Sequence, residues 1–462
     1  MSNTEELQQQ QFDAKQKWSF GLGSFAQWFV MSAFNLWVFS FYFSAVRLKI
    51  DYIMLAFILW TAYNAINDPL IGYISDKTST RFGRRKPFIM IAVIPIIILE
   101  IIIWTPPTNN QLLGFIYLII MLFAYDTFYT MIALPYDSLF PELYTSVKER
   151  SEVNTIKEIF SVVGLLFAAL VPGIFIGEID QIDGYLINGI VTSVIVGISL
   201  VISLKWGVIE REEFELDHTH EFNFFEGLKH TLKYKSFLLY TAMFFLYEYI
   251  LLLLGTIVPL FGEFVLNTGS AFETSIIMGI MYIVGAVSVV IWSKLDVAIG
   301  SRKGYAISIV VYFLATLPML FVDNYYIALI VAIGLGVGFG GMLYYIYLII
   351  ADVIDADELK TGVRREGSFF GITNFFMRLS MIASIITVGL VFRQVGWEEY
   401  DPLVNPVIGL RVLFVIFPGI ALGITLLCLY YYPFTKEKVE EMKVKLDKLH
   451  KEKKEKVRSR IK

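Results

Sequence analysis

The 462-residue sequence predicts an all-α membrane protein of about twelve transmembrane helices in two six-helix bundles, with both termini cytoplasmic. Three observations carry that expectation: an apolar composition, apolar stretches of spanning length, and the placement of Lys and Arg. Hydrophobic residues make up 56% of the chain and charged residues 17%, with a mean hydropathy of +0.63. Soluble domains hold roughly 45–50% and 25% of these classes. A soluble core of this size has no room for so much apolar surface. A bilayer accepts it in helices of about 20 residues that satisfy their own backbone hydrogen bonds.

In order, the first-half spans are expected at 18–46, 52–75, 88–105, 111–141, 152–177 and 185–207, and the second-half spans at 236–262, 272–295, 304–322, 325–352, 367–393 and 404–432. Residues 1–17 read as a cytosolic N-terminus. Segment 208–235, with Glu210-Arg211-Glu212-Glu213 and Asp217-His218-Thr219-His220, reads as a cytosolic linker between an N-terminal bundle (18–207) and a C-terminal bundle (236–432). The first apolar run is too long for a signal h-region and lacks a cleavage site, so it reads as a retained span.

Topology follows from the excess of Lys and Arg in cytoplasmic loops. Lys77, Arg81, Arg84, Arg85 and Lys86 follow span 2; Lys148 and Arg150 follow span 4; Lys294, Arg302 and Lys303 follow span 8; Lys360, Arg364 and Arg365 follow span 10. The opposite loops 105–111, 177–185 and 323–326 contain no Lys or Arg, and only Arg47, Lys49 and Arg393 break the pattern. Segment 433–462 is a basic tail whose Val439, Met442, Leu446 and Leu449 have helical spacing; a solvated tail is the plainer reading, an amphipathic helix near anionic headgroups the alternative. Cys428 is the only cysteine, which excludes an intrachain disulfide.

The loops repeat between halves. Gly72-Tyr73-Ile74-Ser75-Asp76 leads to Arg81-Phe82-Gly83-Arg84-Arg85-Lys86, and Asp296 leads to Gly300-Ser301-Arg302-Lys303. An acid closing a helix before glycine and a basic cluster reads as a latch, formed in one state of the molecule by pairing with a neighbouring helix. Asp76, Arg84, Arg85, Asp296 and Arg302, with Asp355 and Arg364 after span 10, make up the expected cytoplasmic gate.

An ionisable side chain within a span costs several kcal/mol and is a functional candidate by default. Asn64, Asn67 and Asp68 share a face of span 2 at i, i+3 and i+4, so a carboxylate and two amides converge, and Pro69 frees a backbone carbonyl beside them. Hard oxygens around one negative charge suit H⁺ or Na⁺. Asp126, Tyr129, Thr130, Ala133 and Asp137 form one face of span 4, which points to a water-filled cavity. Asn374 and Arg378 on span 11 are again i and i+4, with Asp68, Asp126 or a solute as the expected partner of Arg378. Glu248 in span 7 reads as a further cavity acid. Glu100 in span 3 has a weaker case. The run Gly334, Gly336, Gly338, Gly340, Gly341 lacks the Lys-Ser/Thr ending of a phosphate loop and reads as close helix packing. His218, His220, His230 and His450 all fall in cytosolic segments, and no metal spacing, catalytic triad or nucleotide motif is visible.

The chain resembles the major facilitator superfamily, and within it the glycoside-pentoside-hexuronide:cation symporters that include the melibiose carrier. Three blocks carry the resemblance: Asn67-Asp68-Pro69-Leu70-Ile71-Gly72 with Arg81 to Pro87; Ala133-Leu134-Pro135-Tyr136-Asp137-Ser138-Leu139; and Ala351-Asp352-Val353-Ile354-Asp355 through Arg364-Arg365-Glu366-Gly367. The resemblance implies the major facilitator fold in the plasma membrane and cation-coupled symport of a sugar or glycoside by alternating access. It implies a cation site of Asp68, Asn64, Asn67 and Thr130 and places Trp28 and Arg378 at the solute; with the cavity residues read above, the expected solute site is Trp28, Asp126, Tyr129, Asp137, Asn374, Arg378 and Glu248. Asn64 stands where the melibiose carrier has an acid. One carboxylate is neutralised by one proton whereas Na⁺ loses a charged ligand, so H⁺ is favoured over Na⁺. Trp28 and Ala133 replace that carrier's sugar-binding acids, which argues against melibiose, and Arg378 replaces a lysine. The alternatives are a lysolipid, organic anion or drug as solute, an uncoupled facilitator and, more remotely, a membrane-embedded enzyme or sensor. The expected partners are a small solute, a monovalent cation and the bilayer, with no nucleic acid, no other cofactor and a monomeric state.

Overall fold

The computed structural model describes residues 12–78, 80–107, 109–144, 147–209, 234–362, 366–401 and 403–461. It is helical throughout, with one isolated bridge between Thr80 and Gly83. Among the described residues thirteen helices follow in order: α1 Ala14–Ala45, α2 Ile50–Lys77, α3 Lys86–Ile102, α4 Gln111–Leu143, α5 Val147–Ile176, α6 Ile182–Gly207, α7 Lys235–Phe264, α8 Ala271–Ile299, α9 Ser301–Leu320, α10 Tyr325–Thr361, α11 Glu366–Gln394, α12 Val407–Tyr431 and α13 Lys436–Ile461. The first twelve coincide with the expected spans to within a few residues, except that α10 runs on through the Asp352 to Thr361 segment. Ten described helices are long and apolar enough to cross a membrane on those grounds alone. α3 has only 17 residues, and α2 carries the polar Asn64, Asn67 and Asp68 near its middle, so those two lean on their neighbours.

Local chemistry sets the ends. Asp13 and Gln16 form a reciprocal capping box that starts α1, the Asp13 carboxylate accepting from the Gln16 amide at 2.7 Å and Gln16 Oε1 from the Asp13 amide at 2.9 Å, which satisfies two donors that a helix start leaves open. Asn110 and Asn324 cap α4 and α10 in the same sense, each accepting from two amides of the first turn. α10 stops at Gly362, whose φ of 72° lies in the left-handed region that glycine enters freely.

The glycine run of α10 packs as a bare surface. A Cβ on Gly338 would lie 2.5 Å from the Tyr312 Cα of α9, and one on Gly340 would lie 2.2 Å from the Gly285 carbonyl oxygen of α8. Only small residues admit this approach of backbones within a membrane. α1 to α6 pack chiefly on one another, as do α7 to α12, and across the two sets the principal contacts are α5 with α8, α2 with α11 and α1 with α7. Pairs 2/11 and 5/8 exchange when six is added to one partner and subtracted from the other, as two-fold related repeats require.

The basic tail is more than a solvated appendage. Lys436 at the start of α13 donates to the carbonyls of Val297 and Ala298 at 2.8 and 3.2 Å, capping the end of α8, and Leu446 is buried against the protein.

Candidate functional site

The two sets of helices enclose a cavity of about 1000 Å³ with chemically different walls. Asn35, Asn64, Asp68, Asp126, Tyr129, Thr130, Glu158 and Ser161 line it from the first half. From the second half come Leu251, Leu254, Val258, Ile277, Met281, Leu335, Phe339 and Leu343, with Glu248, Tyr347, Asn374 and Arg378 among the polar members. Helical spacing explains the wall: Glu158, Ser161, Val162 and Leu165 fall at i, i+3, i+4 and i+7 on α5, and all face the cavity.

At the centre, Arg378 of α11 reaches across to α2. Its Nη2 donates to Asp68 Oδ2 and its Nε to Asn64 Oδ1 at 2.5 Å. Thr130 of α4 donates to the other Asp68 oxygen at 2.9 Å. Asn64 in turn donates its amide to Asp126 Oδ1 at 2.6 Å, and Asn67 donates to Asp126 Oδ2 at 3.0 Å. Two carboxylates, one guanidinium, two amides and a hydroxyl thus form one network with Asn64 as its pivot. Tyr63 extends it, bonding Thr127 at 2.6 Å and stacking on Phe123 at 4.2 Å.

This geometry corrects part of the sequence expectation. Both asparagine amides donate to Asp126, the Asn64 oxygen accepts from Arg378 rather than facing Asp68 directly, and Asp68 is the one of its three expected partners that Arg378 takes. Asp137 does not line the cavity. It is exposed near the cytoplasmic end of α4 and pairs with Lys157 of α5 at 3.0 Å. Asn67 lies behind the wall, 3% exposed, as a support for Asp126. Trp28, Asp126, Tyr129, Thr130, Glu248, Asn374 and Arg378 are all brought to the cavity. Glu158 and Tyr347 complete it and were not among the expected site residues. Tyr347 follows Phe339 and Leu343 at intervals of four, a register readable once Phe339 is known to face inward.

At the cytoplasmic face the expected pairing of Asp296 with the basic cluster is replaced. Arg302 donates to the Leu429 and Tyr430 carbonyls at 2.9 and 2.6 Å, capping α12. Asp296 instead feels Lys436 and Lys443 of α13, and Asp352 accepts from Ser301 at 3.0 Å. Arg84 and Arg85 are buried at the start of α3, and Asp355 lies on α10. Arg364 and the Asp76 side chain lie outside the described residues.

A cavity walled by both halves of a many-span helical protein and crossed by an ion pair between them has the form of a membrane transporter. The chain belongs to the MFS/sugar transport protein family, whose model matches residues 19–436. Among its relatives, the sodium-dependent lysophosphatidylcholine symporter 1 of Mus musculus is 24% identical over 432 residues, covering 85% of this chain and 80% of that one. The isoprimeverose transporter of Lactiplantibacillus pentosus is 21% identical over 436 residues, covering 91% and 89%. The crystal structure of nucleoside transporter NupG superposes with a TM-score of 0.66 at 15% identity, covering 90% of this chain and 99% of that one, a likeness of fold. The protein is a multi-pass membrane protein of a symporter family.

Proposed function

We propose that the protein is a cation-coupled symporter of a sugar or glycoside in the plasma membrane, and that the coupling ion is a proton taken up at Asp68. The observation that carries this reading is the ion pair between Asp68 and Arg378 on opposite halves of the molecule. A proton on Asp68 removes the negative charge that holds Arg378, so the guanidinium turns to the solute and the two halves are freed to move. Solute bound at Arg378 in turn prevents re-pairing and favours the protonated acid, which is the reciprocity that coupled transport requires.

The lining charges fit a cation better than an anion. Asp68, Asp126, Glu158 and Glu248 face one cavity with Arg378 as its only Lys or Arg among the described residues. That imbalance disfavours an organic anion. Asn35, Asn64 and Tyr129 offer hydroxyl partners, and Trp28, half exposed to the cavity, offers a ring face for a sugar's C–H surface.

A second reading keeps the transport cycle and changes the solute. The aliphatic wall from Leu251 to Leu343 has little use for a bare sugar, and an amphiphile with its head on the polar wall and its chain along the apolar one would cover both. Purified protein in vesicles loaded with a pH dye distinguishes the cases. Sugars, alkyl glycosides and lysolipids are added in turn, with and without Na⁺, beside an Asp68→Asn control. Sugar- or glycoside-driven acidification lost in the control supports the first reading. Acidification by lysolipids alone supports the second, and absence of acidification with every solute overturns proton coupling.

A further inference from the structure

Arg47, Lys49 and Arg393 are the cations that defy the inside-positive pattern, and the structure gathers all three at the outer junction of the two halves. The Lys49 ammonium, just before α2, is 2.8 Å from Glu399. Arg393, in the last turn of α11, donates to Asp51 in the first turn of α2 at 2.7 Å. The Arg47 guanidinium lies over the Tyr400 ring, 5.8 Å from its centre. Every one of these contacts joins the segment 47–51 to the segment 393–400, and the Ile50 amide adds a bond to the Glu398 carbonyl at 2.9 Å.

The short α1–α2 loop is held in place for this. Gln111 accepts from the Lys49 amide and donates to the Arg47 carbonyl, both at 2.9 Å. Arg47 itself has a φ of 58°, a left-handed conformation uncommon for a residue with a side chain. Directly beneath, Phe43 packs on Phe392 and Trp397 with ring centres 5.1 and 4.9 Å apart, an apolar plug below an ionic layer.

We propose that Lys49–Glu399, Arg393–Asp51 and Arg47–Tyr400 form an outer ionic latch that sets the ratio of outward-closed to outward-open carrier. The side chains of the two ion pairs are about half exposed, between 48% and 54%. Ion pairs in such surroundings are individually weak and are screened by salt, as a latch opened in every transport cycle must be. Positive charge on this face opposes the bias that orients the protein in the membrane. Its concentration at a junction that must part for outside access, beside the second outer contact of Gly177 with Ala271, gives it a conformational role.

The test needs no solute and no coupling ion, so it stands or falls apart from the transport reading. In a Cys428→Ser background, Asn35→Cys places a single thiol on the cavity wall, and a membrane-impermeant maleimide is applied to right-side-out vesicles. Labelling is expected to be slow, to quicken about tenfold when Lys49→Gln and Arg393→Gln are combined (about 1.4 kcal/mol in the equilibrium), and to rise with external salt only while the latch is intact. The charge exchange Asp51→Arg with Arg393→Asp is expected to bring the rate back toward the slow value and also shows that the altered junction folds. Equal labelling with and without the latch charges, a salt response that survives their removal, or an exchange that leaves labelling fast would each overturn the proposal.

Discussion

Replacing Arg378 by methionine leaves Asp68 facing the cavity with one donor, Thr130, and no counter-charge. Breaking a fully buried ion pair by removing one partner costs about 3–5 kcal/mol, and an exposed pair is worth at most about 1. The Arg378 and Asp68 side chains retain 18% and 27% of their exposure, so water reaches both, and the expected destabilisation of the single variant is about 2 kcal/mol on that scale. Asp68→Asn strands the guanidinium on Asn64 and is expected to cost a similar amount. The double variant Asp68→Asn/Arg378→Met removes both charges together. It is expected to be more stable than either single variant, with a coupling energy above about 2 kcal/mol in magnitude.

The assay is unfolding in detergent micelles followed by the fluorescence of the eight tryptophans, run on wild type, both singles and the double. A double variant whose loss equals the sum of the singles would show that Asp68 and Arg378 act independently, and the exchange mechanism would fail with it. Transport is expected to separate from stability here. All three variants lose coupled uptake, because the double restores neutrality without restoring the proton site.

Three further outcomes follow from packing and capping. Gly338→Val drives a side chain into the Tyr312 backbone of α9 and is expected to lower stability by about 1–3 kcal/mol, the usual cost of overpacking, in the same unfolding assay. Lys436→Met removes the cap on α8; limited trypsin digestion is expected to cleave within α13 faster, with the helical core left intact. The hydrogen bond and charge of Glu399 raise the Lys49 pKa above its ordinary 10.5, so the contribution of this pair is fully present below 10.5 and is lost only as pH rises through the higher folded value. Lys49 therefore keeps its charge between pH 7 and about pH 9, and the ratio of Asn35→Cys labelling rates with and without the latch charges is expected to stay constant over that range.

What the sequence made legible was whatever a helix repeats. Asn64, Asn67 and Asp68 had to share a face because 3.6 residues make a turn, and the cavity wall of α4 followed for the same reason. Helix positions were equally plain, since the bilayer fixes the length of an apolar run. Partners were not. Arg378 had three named candidates, and the choice of Asp68 rests on how α2 and α11 cross, which joins residues 310 positions apart. The direction of the Asn64 and Asn67 amides depends on Asp126 of α4 packing against them, a fact of packing that no periodicity on α2 contains.

Asp126 and Asp137 show where face and depth part company. Eleven residues are close to three turns, so both lie on one side of α4, yet they stand about 16 Å apart along its axis. Asp126, 1% exposed, draws two amides from α2. Asp137 near the membrane surface meets the flexible Lys157 and leaves the cavity. The same distinction explains the outer cations. Counting Lys and Arg by loop tells which side of the membrane a charge is on, and on that count Arg47, Lys49 and Arg393 were only exceptions. Their partners come from the opposite half of the chain at the same depth, so an exception to the charge rule that recurs in both halves at one level of the membrane is evidence that the halves meet there.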